Sequence, residues 1–166
     1  MSDISGTRAS LQQTMTFLGA IASGIEQAIG ESANSISYLA GKKLGISLSE
    51  HVARTDDIEQ ALAAVTDVLL ANGCLWHFEP FKTHDRPELV ATSDDGDDIH
   101  LVFRDCMIRQ SLFMFGHHQK GSLCNMMFGF FSGALQQIMG RDSTLEILHA
   151  GENACYKRLT IHRSGQ

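Results

Sequence analysis

The feature that most constrains the fold is a long apolar helix followed directly by a hairpin. Apolar side chains recur at helical spacing over residues 123–140, and this stretch ends in a glycine. Residues 144–155 then predict strand, turn and strand. One helix start and one hairpin thereby gather two thiols, a carboxylate and an imidazole, which are the ligand types of a tetrahedral zinc site. These four side chains belong to Cys124, Glu146, His149 and Cys155.

The order of the elements before this unit predicts an α+β fold. Three amphipathic helices precede any strand, and the spacing of the apolar residues then changes from helical to alternating. We therefore expect N-terminal helices packed with an antiparallel sheet, followed by the helix-plus-hairpin C-terminal unit. The predicted helices are residues 10–29, 36–44, 58–71 and 105–115, and a predicted three-stranded meander comprises residues 74–80, 88–92 and 99–103.

Length and charge limit the number of domains and the classes of partner. With 166 residues and 43% hydrophobic content, the chain is long enough for one domain with a substantial core. Residues 1–166 are therefore predicted to form a single domain. The net charge of −6 and the scattered Lys and Arg residues provide no basic patch for a phosphate backbone. We expect no direct nucleic-acid partner.

The cysteines indicate a reducing compartment. The four cysteines lie far apart, and the N-terminal residues lack the basic and apolar regions of a signal peptide. This pattern predicts a cytoplasmic protein whose thiols are free or metal-bound rather than paired in disulfides. No apolar run approaches the length that crosses a bilayer, so no membrane span is expected.

An acidic tract at residues 93–98 resembles a calcium loop in composition. It lacks the spacing and the terminal glutamate of an EF-hand. Its Asp-Gly step is instead typical of a hairpin turn. The tract is therefore predicted to be a solvated turn without metal.

Two glycines four residues apart, Gly41 and Gly45, lie on the second predicted helix. One interpretation is a close helix contact across a dimer, and the alternative is a locally loosened helix end. The apolar residues of the first two helices favour a homodimer formed largely through residues 10–50. Gly41→Leu would then weaken the dimer by forcing its helices apart.

Methionine and phenylalanine are concentrated between residues 103 and 139, which contain five of the seven Met and six of the nine Phe. Such side chains form an adaptable apolar environment that can enclose a small hydrophobic molecule, and Gly129 and Gly133 reduce the bulk of the helix there. The alternative is an ordinary core. The candidate ligand-binding residues are Met107, Phe115, Met126, Met127, Phe130 and Phe131.

Several of these motifs resemble the 4-vinyl-reductase domain family, also called the hydrocarbon-binding domain, which is related in fold to the small subunits of the TRAPP tethering complex. The resemblance spans nearly the whole chain and includes residues 38–45, Asn72-Gly73 and 104–106. It is strongest in the C-terminal unit, at Cys124, Gly129, Gly133, Gly140, Glu146, His149, Gly151 and Cys155. The resemblance implies a domain that binds a small hydrophobic molecule and acts as a sensor or carrier.

The same resemblance implies a structural zinc ion held by Cys124, Glu146, His149 and Cys155. In sensory members of the family, Cys, Glu, Cys and Cys occupy the matching positions. Here His149 replaces the second Cys, and the turn from His149 to Cys155 is two residues shorter than usual. Histidine is itself a zinc ligand. The alternative is that Cys124 and Cys155 are small buried hydrophobic residues.

Catalysis is left open by the sequence. His117 and His118 lie in a glycine-flanked loop, but adjacent loop histidines are usually solvated. No nucleophile elbow and no glycine-rich phosphate loop is present. The alternatives to a binding module are an enzyme or accessory protein of tetrapyrrole-type metabolism and a structural interaction module like the TRAPP subunits.

Overall fold

The computed structural model describes residues 4–74, 76–82, 87–104, 106, 108–109, 120–151 and 154–163, with side chains from residue 13 onward. It confirms the α+β fold, with N-terminal helices, an antiparallel sheet and a C-terminal helix and hairpin. The described elements, in chain order, are α1 (Ile4–Ile29), α2 (Ser32–Leu48), α3 (Ile58–Ala71), β1 (His77–Pro80), β2 (Val90–Thr92), β3 (Gly96–Arg104), α4 (Ser122–Met139), β4 (Ser143–Ala150) and β5 (Ala154–His162).

The helix predictions are confirmed where the structure describes them. Helix α3 has the predicted bounds, and the Asp57 carboxylate caps its first turn by accepting the Gln60 N–H at 3.0 Å. Helix α4 ends at Met139 and is followed by Gly140, whose φ of 68° is the left-handed conformation that glycine adopts without strain. The predicted helix at residues 105–115 lies outside the described residues, apart from positions 106, 108 and 109.

Strand β3 is the centre of the sheet. Along one edge, β3 pairs with β5 over its whole length, Gly96–Arg104. The other edge of β5 pairs with β4. On the other edge of β3, β1 pairs with residues 101–104 and β2 pairs with residues 97–99. A meander would pair β1 with β2. Because β1 instead pairs with β3, the predicted three-stranded meander is wrong. A nine-residue β3 is long enough to pair with both short strands, one after the other.

The acidic tract forms the predicted turn between β2 and β3. The Ser93 N–H donates to the Gly96 carbonyl oxygen at 2.7 Å. Gly96 has a φ of 152° and lies against the Ile161 backbone, where a Cβ would clash. The turn therefore requires glycine at this position.

Helix α4 lies between the sheet and α2. One face of the sheet is largely buried, with apolar side chains from β3, β4 and β5 directed towards α4. Because α4 has neighbours on both sides, most of its residues are buried, which explains its near-continuous apolar sequence. The buried apolar residues on the face of the sheet towards α4 are Ile99, Leu101, Phe103, Leu145, Ile147, Leu159 and Ile161.

Helices α2 and α4 approach each other through glycines on both sides. A Cβ added to Gly41 would lie 1.9 Å from the Met126 carbonyl oxygen, and one added to Gly129 would lie 1.9 Å from that of Tyr38. Gly45 and Gly133 make equivalent contacts one turn further on. The predicted close helix contact is thus confirmed, but it joins two helices of the same chain. The expectation that Gly41 lies at a dimer interface is therefore wrong, because Gly41 faces α4.

The long helix α1 leaves much of its apolar surface exposed. The Glu26 carboxylate accepts hydrogen bonds from the backbone N–H, at 2.9 Å, and the hydroxyl of Ser122, which connects α1 to the first turn of α4. Within the described ranges, no helix is both long and apolar enough to cross a membrane. The exposed apolar residues of α1 and α2 are Phe17, Leu18, Ile21, Ile25, Ile29, Ile36, Leu39, Leu44 and Ile46.

Candidate functional site

A continuous cluster of aromatic rings lies between α4 and the sheet. Phe131 of α4 packs edge-to-face against Phe78 and Phe103, with ring centroids 5.1 Å and 5.5 Å away. Phe130 extends the cluster to Trp76, whose ring centroid is 5.9 Å away. Aromatic pairs at these distances and angles are favourable beyond their buried area. We call these five residues the aromatic cluster.

Trp76 brings a hydrogen-bond donor into this apolar surrounding. Its side chain is 5% exposed, and its Nε1–H has no hydrogen-bond partner among the described residues. A buried tryptophan normally donates its N–H, because leaving a buried donor unpaired costs about 1–3 kcal/mol. The indole N–H is therefore suited to an acceptor atom of a bound molecule.

The candidate ligand-binding residues have different positions. Met127, Phe130 and Phe131 are fully buried beside the sheet. Met126 is partly buried, and its carbonyl oxygen faces Gly41 of α2. The candidates Met107 and Phe115 lie outside the described residues.

The predicted role of the α4 glycines is wrong. Gly129 and Gly133 were expected to leave room for a ligand by reducing the bulk of the helix. The space beside them is occupied by the α2 backbone at Tyr38 and Lys42. These glycines therefore allow helix packing.

A buried lysine lies at the other end of the aromatic cluster. Lys157 of β5 is 2% exposed, and its Nζ donates to the Met127 thioether at 2.9 Å. The same atom lies 4.0 Å from the centre of the Phe103 ring and 5.3 Å from that of Phe128. Both are distances at which an ammonium group is attracted to an aromatic face.

Three thiols interact electrostatically with this amine, and they belong to Cys106, Cys124 and Cys155. Burial lowers the pKa of Lys157, and the three thiols oppose that effect. Burial also raises the pKa of the Cys106 and Cys124 thiols, and the cationic Lys157 partly offsets this shift. We call these four residues the thiol–lysine cluster.

Arg109 brings a second cation to Cys155. Its Nη2 lies 4.0 Å from the Cys155 sulfur and also donates to the carbonyl oxygen of Gly151 in the β4–β5 turn. A guanidinium group therefore lies beside the Cys155 thiol.

The sheet separates the four predicted metal ligands into two pairs. Residues directly opposite each other on antiparallel strands point to the same face. Cys155 lies opposite Phe103, so both side chains point to the face of the sheet that α4 covers. Cys124 is a residue of α4 and therefore lies on the same side of the sheet. Glu146 lies opposite Arg158 and forms an ion pair with it, with both side chains about half exposed, on the other face.

His149 lies on the same face as Glu146 because of an irregularity in β4. The register shifts between Ile147 and His149, so His149 lies opposite Tyr156. Tyr156 hydrogen-bonds His100 on the face away from α4. Among the residues described by the structure, no three His, Cys, Asp or Glu side chains are grouped as metal ligands. The four residues do not fit one tetrahedral site in this arrangement, and zinc stays a prediction.

Two members of the thiol–lysine cluster were missed by sequence reasoning. Lys157, Leu159 and Ile161 are spaced two residues apart in β5, which places their side chains on the same, inward face of the sheet. The orientation of Lys157 therefore follows from the strand period once the predicted strand is extended to residue 162. Cys106 follows the end of β3 and is not among the candidate site residues predicted from the sequence. Trp76 lies within a predicted strand, but its unpaired N–H is visible only in the structure.

The fold is similar to that of a ligand-binding sensory domain of known structure. The crystal structure of the phenol-responsive sensory domain of the transcription activator PoxR, with phenol, has a TM-score of 0.65 to this chain. The two are 15% identical in sequence, and the similarity covers 89% of this chain and 74% of that one. No protein-family model matches the chain, and no curated protein does. At this level of identity, the similarity establishes a shared fold.

Proposed function

We propose that the protein binds a small aromatic molecule and acts as a sensor or carrier of the 4-vinyl-reductase type. The observation that carries this proposal is the buried Nε1–H of Trp76, which lacks an acceptor among the described residues and belongs to an indole packed edge-to-face against Phe130. Buried donors in native proteins usually have a partner, and a ligand oxygen would provide one. The shared fold with a phenol-responsive sensory domain supports the same function.

The aromatic cluster suits a ring with one polar substituent. The rings of Trp76, Phe130 and Phe131 already pack edge-to-face on one another, and an aromatic ligand would add a ring to this packing while its hydroxyl oxygen would accept the indole hydrogen bond. Apolar pockets with a few placed polar groups are typical of small-molecule sites. The proposed role is binding without turnover.

Trp76→Phe tests this role, because it keeps an aromatic ring and removes the N–H. We expect phenol to bind about 3- to 10-fold more weakly to the variant, as one net hydrogen bond is worth about 0.5–1.5 kcal/mol. Benzene has no oxygen, so its affinity should change by less than about twofold. Isothermal titration calorimetry on both ligands provides the measurement. Wild-type protein that binds neither molecule would contradict the proposal.

We further propose that the protein is a homodimer formed through α1 and α2. Apolar residues on α1 remain exposed, including Phe17 at 73% and Ile21 at 59%, and Leu39 of α2 is 59% exposed. Large exposed apolar patches on soluble domains usually mark interaction surfaces. The paired glycines of α2 do not contribute, since they face α4.

Ile21→Glu should convert the dimer to a monomer, because the new charge would be buried in the interface. The dissociation constant should rise by at least about tenfold, measured by light scattering over a range of protein concentrations. Gln27→Glu adds the same charge to an exposed position of α1 and is expected to leave the mass unchanged. A wild-type monomer at micromolar concentration would rule out the dimer.

A further inference from the structure

We propose that Gly73 is a positioning residue, which orients the Trp76 indole by closing the C-terminal end of α3. Gly73 thereby acts on the ligand site proposed above, so its effect on binding rests on the proposed function. Its effect on the indole itself does not, and can be measured without any ligand.

The C-terminal end of α3 is closed by two backbone hydrogen bonds. The N–H of Cys74 donates to the Leu69 carbonyl oxygen at 2.9 Å, and the N–H of Gly73 donates to that of Leu70 at 3.1 Å. This pair of bonds is the Schellman arrangement, in which the residue after the helix cap is left-handed. Gly73 has a φ of 68°, and a Cβ added to it would meet nothing within 4 Å. Glycine is therefore favoured here by its backbone conformation and not by lack of space.

Trp76 lies between two fixed points of the backbone. On the N-terminal side, Cys74 is bonded to α3 and lies two residues away, so its Cα is at most about 7.6 Å from that of Trp76. On the C-terminal side, His77 begins β1 and pairs with β3. Phe78 then stacks on Phe103 with ring centroids 5.4 Å apart. The end of α3 and the edge of the sheet together fix where the chain places the indole.

The Trp76 N–H is useful to a ligand only if the indole keeps its orientation. The side chain is 5% exposed and packs edge-to-face on Phe130, and its Nε1–H has no acceptor among the described residues. A hydrogen bond weakens steeply as its angle departs from linear. A site selects a hydroxylated molecule over its bare analogue by holding the donor in place. Gly73 therefore contributes to the preference for phenol over benzene, through Trp76.

Trp76 is the only tryptophan of the chain, so its fluorescence reports the position of the indole directly. Gly73→Val introduces a β-branched residue, for which a positive φ is costly. The acrylamide quenching constant of the folded variant should rise at least about twofold, because the indole becomes more accessible. Gly73→Ala is the milder form of the same change and should shift quenching in the same direction.

Two matched variants separate positioning from general loss of stability. Gly73→Asn should restore wild-type quenching, because asparagine tolerates the left-handed conformation. Gly140 follows α4 with the same φ of 68° and the same open space around a Cβ. Gly140→Val should therefore lower stability and leave quenching unchanged.

Isothermal titration calorimetry with phenol and benzene connects the indole to the ligand site. The ratio of phenol affinity to benzene affinity should fall about 3- to 10-fold in Gly73→Val, as expected when about one hydrogen bond is lost. It should stay within about twofold of the wild-type ratio in Gly73→Asn and Gly140→Val.

The two measurements fail separately. Wild-type quenching in folded Gly73→Val and Gly73→Ala, or an equal rise in Gly140→Val, would overturn the positioning role whether or not the protein binds phenol. A rise in quenching confined to Gly73→Val and Gly73→Ala supports that role, even in a protein that binds neither molecule and so contradicts the proposed function. A rise in quenching with an unchanged affinity ratio would overturn the contribution of Gly73 to selectivity.

Discussion

Gly41→Ala should lower the free energy of unfolding by about 3 kcal/mol, at the upper end of the usual range for overpacking. The added methyl group would lie 1.9 Å from the Met126 carbonyl oxygen, far inside contact distance. The obstacle is the backbone of α4, so no side chain can rotate away. The two helices must separate, which weakens the close packing of α2 on α4.

The control is the same substitution in a helix with free space. Gly24 lies within α1, and a Cβ there meets nothing within 4 Å. Gly24→Ala should stabilise the protein by about 0.5–1 kcal/mol, because alanine loses less conformational entropy in a helix than glycine does. Denaturant unfolding of the two variants should give opposite signs. A Gly41→Ala protein as stable as the wild type would contradict the glycine-mediated packing of α2 on α4.

Phe131→Ala should lower the free energy of unfolding by about 3–5 kcal/mol, as expected for a large-to-small change at a buried position. Phe131 is fully buried, and its ring contacts Phe78, Phe103 and Phe130. Removing it leaves a cavity at the centre of the aromatic cluster, which the surrounding rings fill only in part.

Phe17→Ala is the matched control, because its side chain is 73% exposed. It should change stability by less than about 0.5 kcal/mol when measured on the monomer. Thermal and denaturant unfolding with the same probe provide both values. A loss below about 1 kcal/mol for Phe131→Ala would show that the ring contributes little to the core.

The sequence was sufficient for the fold class because local patterns determine it. Helical spacing placed α3 within its observed bounds, and alternation located β3. Pairing partners depend on contacts between distant segments, which explains why β1 was misplaced. The spacing of Gly41 and Gly45 indicated a close helix contact, but it carried no information about the partner helix.

The candidate site was harder to predict for the same reason. The apolar character of Met127, Phe130 and Phe131 was enough to place them in the interior. The face of His149 depends on a register shift in β4 that has no clear signature in the sequence. One shifted residue decides whether a hairpin presents its ligands together or on opposite sides of a sheet.

The glycine contact between α2 and α4 also limits how the protein can move. Where helices meet through side chains, small rotamer changes let one helix slide past the other. Where carbonyl oxygens lie directly on glycine Cα atoms, as at Gly41 and Gly129, there is no flexible layer to absorb a displacement. The two helices therefore translate as a single rigid body, and a displacement of α4 against the sheet carries the exposed face of α2 with it.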